Sequence, residues 1–430
     1  MTTSESIQPS FILPSVSEEF PHILNYSPVT QCFLYSTNYE VLGILDTATK
    51  STVKSVAVNS FTRAVALSSD GCMLAVNVNY KFIDLSNSIP AQIRIFHVGK
   101  DSIPPSFYIK PDFGDKFVQN LRFFPDGSKI VATHSNCKQG PWAKIFTFPN
   151  KLWEEDETTG EDQTLDRNNK TLLCEDIDVF KQGFPIPDDR SERIADAKTD
   201  EEYFTLYNQM YYASNIEAGF YCLAISPDTT RLLAGSNDGE VYIIESTSQK
   251  VLQCDRTYEY YNTVSSCHYS PVFGHQEFVT CVESGFLDIW HVQELDDGKE
   301  EASSVHHLKF EPGTSCCTYS PDGKLIALTS SAVFKTYIIC SYSGNTLFNL
   351  VYKEELINQS YFFNTSLFFG HLCQVATIQF DNSLCFWQLP LVYNLKTLCL
   401  LFIRASMNYN NIDSLSLSSP MKLQLKYLYV

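Results

Sequence analysis

Residues 317–327 read Cys-Thr-Tyr-Ser-Pro-Asp-Gly-Lys-Leu-Ile-Ala, and this segment carries the clearest structural signal in the chain. Strand-forming residues flank the turn sequence Ser320–Gly323 on both sides. In such a turn Pro presets φ, Asp hydrogen-bonds the nearby backbone and Gly takes a positive φ. The phrase therefore predicts a tight hairpin between two antiparallel strands.

The same phrase recurs three more times along the chain. It appears in Val65–Val76, in Leu121–Ala132 and in Leu223–Ala234, where Thr229 takes the place of the Gly. Repetition of this kind indicates an all-β array of short strands, folded as a sandwich or a propeller. We count seven units, which start near residues 20, 58, 104, 216, 250, 303 and 350.

A second recurring feature is a strand that ends in an aromatic or acidic residue, as in Leu287–His291 and Leu384–Gln388. Together with the hairpins, this pattern resembles the WD-repeat β-propellers over about residues 20–390. The resemblance implies a seven-bladed propeller that binds other proteins. The Trp-Asp dipeptide of that family is absent, so the repeats are divergent, and the unit around Ile23–Leu45 is the least regular.

The composition of the chain argues against several classes of function. The chain has 430 residues, a net charge of -18 and 13% aromatic residues. Nucleic-acid binding needs clustered Lys and Arg, so this charge argues against it. No apolar run reaches membrane-spanning length, and we expect no membrane association. The 14 Cys residues lack paired spacing, which favours reduced thiols in a cytoplasmic and/or nuclear protein.

Two segments are expected to lie outside regular structure. Residues 1–19 are predicted to be a flexible N-terminus. An insertion at about 151–215 is strongly acidic: residues 151–202 hold 17 Asp and Glu against 7 Lys and Arg. Such a segment buries too little apolar surface to fold alone, so we expect it to be largely disordered. The insertion is either a solvated loop or an acidic segment that attracts a basic partner.

The C-terminal segment 391–430 carries a different pattern. Five apolar residues fall at i, i+3, i+4, i+7 and i+8, which places them on one face of a helix: Leu395, Leu398, Cys399, Phe402 and Ile403. The segment resembles a SOCS box, a small α-helical module that docks on elongin C. The resemblance implies that these five residues form the elongin-binding face.

The second half of that segment also follows the SOCS-box pattern. The resemblance implies that it contacts a cullin through four residues: Leu415, Leu417, Met421 and Lys422. Ser416 and Ser418 stand where the family has Pro. Cullin-5 is the expected partner, rather than cullin-2, with weakened binding because Ser leaves the backbone freer than Pro does.

The two resemblances together imply a substrate-recognition subunit of an elongin B/C–cullin–RING ubiquitin ligase. Its propeller would bind an unidentified target protein, and no catalytic residue, cofactor or metal ion is expected in it. One alternative is a WD-repeat scaffold without a ubiquitin role, whose tail is a capping helix. Another is a receptor for the damaged-DNA-binding adaptor, but Trp290–Gln293 and Trp387–Pro390 lack the Trp-Asp-x-Arg signature of that class.

Overall fold

The structure is a computed structural model of the 430-residue chain. The residues that it describes are 5–7, 9–13, 24–27, 30, 32–38, 41–58, 64–78, 92–98, 107–109, 118–134, 143–148, 173–177, 219–237, 239–256, 262–272, 274–294, 300–330, 332–333, 335–351, 366–369, 374–378, 384–390, 399, 403, 412, 414–418 and 421–422.

Within these residues the secondary structure is almost entirely β. Two short N-terminal strands come first, β1 (Glu5–Ile7) and β2 (Phe11–Leu13). Sheet 1 then contains β3 (Leu24–Ser27), β4 (Cys32–Asn38), β5 (Val41–Asp46) and β6 (Ser51–Ala57). Sheet 2 contains β7 (Val65–Leu67), β8 (Met73–Val78), β9 (Gln92–His97) and β10 (Phe107–Ile109). Sheet 3 contains β11 (Val118–Phe123), β12 (Lys129–His134), β13 (Ala143–Thr147) and β14 (Leu173–Ile177).

Four further sheets follow in chain order. Sheet 4 contains β15 (Phe220–Ile225), β16 (Arg231–Ser236), β17 (Glu240–Glu245) and β18 (Val251–Arg256). Sheet 5 contains β19 (Val264–Ser270), β20 (Gly274–Val282), β21 (Phe286–Glu294) and β22 (Glu300–Lys309). Sheet 6 contains β23 (Thr314–Tyr319), β24 (Leu325–Ser330), β25 (Lys335–Cys340) and β26 (Thr346–Val351), and sheet 7 contains β27 (Ser366–Phe369), β28 (Gln374–Ile378) and β29 (Leu384–Gln388).

The sheets are arranged around a common axis. Counted over the described residues, there are seven of them, and the first strand of each contacts the first strand of the next: β3–β7–β11–β15–β19–β23–β27. Strand β27 in turn contacts β3, which closes the ring. The prediction of an all-β propeller class of fold is therefore confirmed.

The N-terminal segment, which the sequence predicts to be flexible over residues 1–19, adds one strand to each of the last two sheets. Strand β2 pairs antiparallel with β29, with Ile12 opposite Cys385, and the Ser10 amide donates to the Phe386 carbonyl at 2.7 Å. Strand β1 pairs parallel with β26 as a fifth strand of sheet 6. The physical reason is that β27–β29 supply three strands to sheet 7, and β2 supplies the outer fourth.

The predicted unit starts match the sheets unevenly. The starts near 20, 58, 216 and 350 precede the first strands of sheets, β3, β7, β15 and β27. Those near 104 and 250 precede the outer strands β10 and β18, and the start near 303 falls within the outer strand β22.

The acidic insertion also contains ordered structure. Strand β14 (Leu173–Ile177) lies inside the predicted 151–215 insertion and pairs with β13, with Cys174 opposite Phe146. The remainder of the insertion lies outside the described residues. A short run of strand-forming residues near Leu173 supplies the outer strand that sheet 3 requires, and this tertiary pairing outweighs the acidic composition.

The core lies between neighbouring sheets. Each sheet is covered on both faces, so the middle strands are continuously buried, as in β24 and most of β16. Outer strands are mostly exposed, as in β6 and β22. One typical cluster joins sheets 5 and 6 and includes Val279, Leu287, Tyr319 and Leu328.

The repeated turn forms as the sequence predicts. Gly71, Gly127 and Gly323 have φ of 70°, 72° and 70°. Thr229, which replaces Gly in the copy at Leu223–Ala234, takes the same left-handed conformation with φ of 64°. In that turn the Ser226 hydroxyl donates to Asp228 at 2.6 Å and accepts from the Arg231 amide at 2.8 Å. These side-chain bonds hold the turn in a conformation that Thr ordinarily avoids.

Sheets 4 and 5 approach each other closely at Gly235. A Cβ atom at this position would lie 2.5 Å from Val264 Cγ1 and 2.7 Å from Cys222 Sγ. We therefore expect Gly235→Ala to lower the free energy of unfolding by about 1–3 kcal/mol through overpacking. Chemical denaturation measures this loss. Adding Val264→Ala should recover part of it, and a double variant no more stable than the sum of the two single losses would contradict the overpacking explanation.

Candidate functional site

The C-terminal segment is the candidate site that the sequence predicts. Of the five expected elongin-binding residues, Cys399 and Ile403 lie in the described part of the chain, and both have helical backbone conformation. They are one helical turn apart, with Cys399 exposed and Ile403 half-buried. Leu395, Leu398 and Phe402 lie outside the described residues. Helical backbone at Cys399 and Ile403 is compatible with the predicted helix.

All four residues expected to contact a cullin are described. Leu415 and Leu417 are half-buried in a bend, and Met421 and Lys422 are helical and half-buried. The Met421 and Lys422 amides both donate to the Ser418 carbonyl at 3.0 Å. Ser418 therefore begins this helical turn at a position where the resembled family has Pro. The preceding Ile412 is fully buried, which anchors the middle of the segment.

Inside the propeller, two tryptophans occupy the strand-end position of the repeats. The Trp290 indole N–H donates to the Thr280 hydroxyl at 2.9 Å, and the Trp387 indole N–H donates to the Thr377 hydroxyl at 2.8 Å. Each bond joins the third strand of a sheet to its second strand. Because Trp387 has no exposed surface and Trp290 has 3%, these side chains stabilise the sheets and do not contact a ligand.

The first strands of the sheets surround the axis of the ring, and two basic side chains lie there. Arg122 on β11 is exposed, and in the described part of the chain its guanidinium hydrogen-bonds the Leu121 carbonyl at 3.4 Å. Burial and the charge of Arg122 lower the pKa of His268 on β19 to about 4. Arg122 is therefore the positive charge at this position at pH 7. Nothing in the repeat pattern marks either residue, because inner-strand positions show no distinct sequence signal.

Among the described residues, no group of three or more His, Cys, Asp or Glu side chains has the arrangement of a metal site. Among the described helical residues, no helix is long and apolar enough to cross a membrane.

Comparison with known proteins agrees with the geometry of the propeller. Residues 211–245, which include β15–β17, match the WD40 family of WD domains, or G-beta repeats. Among solved structures, the β-propeller domain of Cps50 (Swd1) from Myceliophteria thermophila is similar, with a TM-score of 0.59 and 10% identity. The similarity covers 88% of this chain and 100% of that domain, and at this identity it concerns the fold alone.

No curated protein matches the chain in sequence. The matched repeat and the shared fold nevertheless support one class: this is a WD-repeat β-propeller protein. Propellers of this class are protein-interaction scaffolds.

Proposed function

We propose that this scaffold is the substrate-recognition subunit of an elongin B/C–cullin–RING ubiquitin ligase. In this proposal seven blades, corresponding to the seven sheets of the described residues, bind a target protein. The C-terminal segment binds elongin C, and the assembly holds target lysines near a charged ubiquitin-conjugating enzyme. The chain contributes proximity, and its partners contribute the chemistry.

The observation that carries the proposal is the apolar spacing directly after the last sheet. Strand β29 ends at Gln388, and the pattern from Leu395 to Ile403 begins seven residues later. Helical backbone at Cys399 and Ile403 supports a helix across this pattern. The exposed Cys399 supports an open face, since a small side chain there permits close approach of a partner helix or groove.

The alternative is a WD-repeat scaffold whose tail caps the propeller. Half-buried Ile403 and fully buried Ile412 favour it, because both side chains are covered to some extent in the isolated chain. The two proposals differ in what the Leu395 face contacts. A capping helix requires that face for stability, whereas a docking helix requires it for elongin binding.

Leu395→Asp separates these proposals. We expect the variant to lose elongin C in co-purification, because a charge entering an apolar groove costs several kcal/mol, on the order of 2–5. We also expect the thermal midpoint of the isolated chain to remain close to that of the wild type. The same purification, probed for cullin-5 and cullin-2, reports the cullin that is recruited.

Exposed Val305 on β22 provides a matched control, because Val305→Asp places the same charge on the propeller. It should leave elongin capture unchanged. Wild-type elongin capture by Leu395→Asp would overturn the docking proposal. A lowered thermal midpoint with no elongin in either sample would favour the capping helix.

A further inference from the structure

The first strands of the seven sheets carry a single acidic or basic residue apart from His268, and it is Arg122. Arg122 is the last residue but one of β11, directly before the turn to β12. Its side chain is exposed, although Leu121 and Phe123 on either side of it are buried. Because the first strands form the innermost ring, an exposed side chain on one of them lies in the axial channel or at its mouth. Arg122 therefore places a positive charge at the axis.

Packing of the ring does not require a long side chain at this position. Arg122 lies three residues before Pro125 of the repeated turn. The other three copies of the phrase have small, buried residues there: Ala66, Ala224 and Thr318. In sheet 5 the residue three positions before Pro271 is His268. A permanently charged residue at a position that Ala or Thr fills elsewhere in the ring points to a role other than packing.

Within the described residues, no carboxylate neutralises Arg122. The guanidinium makes one hydrogen bond there, to the Leu121 carbonyl at 3.4 Å, which is long and leaves most of its N–H donors unused. Burial between the inner strands lowers the pKa of the guanidinium, and the neighbours that oppose this shift are the thiols of Cys267, Cys316 and Cys222. These thiols lie on the first strands of sheets 5, 6 and 4, so other sheets of the ring enclose the guanidinium while its surface stays open to the channel.

Neighbouring first strands are fixed to one another around this charge. The Asn120 side-chain amide donates to the Tyr221 carbonyl at 2.5 Å, which joins β11 to β15. The Ser266 hydroxyl donates to the Cys317 carbonyl at 3.3 Å, which joins β19 to β23. These bonds hold the channel wall in place before a ligand arrives, and preorganisation of this kind lowers the entropic cost of binding.

An exposed guanidinium without an acidic partner is suited to an oxyanion. Its planar fork can donate two parallel hydrogen bonds to the oxygens of a carboxylate or a phosphate. The enclosing strands reduce the effective dielectric constant, so such a pair is stronger there than on an open surface. The net charge of -18 disfavours anion binding elsewhere on the protein. We propose that the axial channel binds an oxyanion, the carboxylate or phosphate group of a ligand, at Arg122.

The test titrates the full chain, with isotope-labelled histidine rings, by NMR at pH 7. Sodium phosphate or sodium acetate replaces sodium chloride at constant ionic strength. The His268 signal, assigned through His268→Gln, is the reporter, because the charge of Arg122 acts on this ring. We expect a saturable shift of the His268 signal with at least one of the two anions. The thermal midpoint should rise over the same range of anion concentration, because the ligand binds only the folded chain.

Two variants of Arg122 test its role. Arg122→Gln removes the charge, and we expect it to weaken anion binding about tenfold or more. Arg122→Lys keeps the charge without the planar fork, and its affinity should fall between those of Arg122→Gln and the wild type. Lys309→Gln is the matched control, because it removes the same charge from the exposed outer strand β22 and should leave binding unchanged. It also corrects for the general effect of phosphate on stability.

Two peptides distinguish the sources of the oxyanion. Ac-Gly-Gly-Glu-Gly-Gly-NH2 and its phosphoserine counterpart carry the same groups on a protein side chain, and the Gln peptide is the neutral control. Tighter binding of a peptide than of the free anion assigns the site to a partner protein, and the reverse assigns it to a small free anion. No saturable shift with any probe, equal binding of the Gln peptide, or wild-type affinity in Arg122→Gln would each overturn the proposal. The inference rests on the ring of sheets and not on the ubiquitin-ligase proposal, and no elongin is present, so the two can fail separately.

Discussion

Removal of residues 1–13 is expected to lower the thermal midpoint by about 10 °C or more, which corresponds to several kcal/mol for a chain of this size. The deletion removes β2 and leaves the edge of β29 unpaired at Leu384–Phe386. It also removes the Ser10 side chain, whose hydroxyl donates to the Phe386 carbonyl at 2.9 Å. An unpaired edge promotes both opening of the ring and aggregation. Calorimetry and light scattering measure the two effects.

A shorter deletion provides the control. Removing residues 1–7 deletes β1, which adds a fifth strand to an otherwise complete sheet 6, and leaves β2 in place. We expect a clearly smaller shift of the midpoint, without aggregation. Equal effects of the two deletions, or a negligible effect of both, would contradict the role of β2 as the strand that completes sheet 7.

Trp387→Ala is expected to cost about 3–5 kcal/mol of unfolding free energy. The side chain is fully buried on β29, and its indole N–H donates to the Thr377 hydroxyl at 2.8 Å. The loss of unfolding free energy has three sources: the removed packing contacts, the cavity that remains, and the Thr377 hydroxyl that loses its donor. Urea denaturation at constant pH measures it.

Two milder variants separate these contributions. Trp387→Phe keeps much of the ring volume and loses the donor, so it should cost less than the Ala variant. Thr377→Val removes the acceptor while keeping the shape, and leaves the indole N–H unpaired at about 1–3 kcal/mol. A double-mutant cycle isolates the coupling between the two side chains. A midpoint for Trp387→Ala within 1–2 °C of the wild type, on the order of 0.5 kcal/mol, would contradict this account.

The site was less predictable from the sequence than the fold. The SOCS-like face was predicted from spacing alone, because helical periodicity is a local property. Of its residues, Cys399 and Ile403 are described and have helical backbone, and the binding of elongin C stays a prediction. Arg122 and His268 could not be predicted to act on each other. They are on β11 and β19, in different sheets, and no repeat signal marks either residue. Their interaction depends on the closure of the ring, which places the first strands of the sheets around one axis.

The local geometry of this protein follows from short stretches of its sequence. Turn chemistry specified the hairpins, since Ser, Asp and Gly act within five residues of one another, and the left-handed Thr229 follows the same pattern as Gly71, Gly127 and Gly323. Strand composition specified the all-β class, because repeated short apolar segments between such turns have few other ways to bury their surface.

The partners of the N-terminal strand β2 and of the insertion strand β14 follow from the tertiary fold and not from local sequence. The pairing of β2 with β29 joins residues more than 370 positions apart, and nothing in the local sequence Phe11–Leu13 predicts that pairing. The same holds for β14, which an acidic segment supplies to sheet 3. In both cases a nearly complete sheet has an open edge with unpaired backbone groups. These groups form hydrogen bonds with the strand that the folded ring places beside that edge.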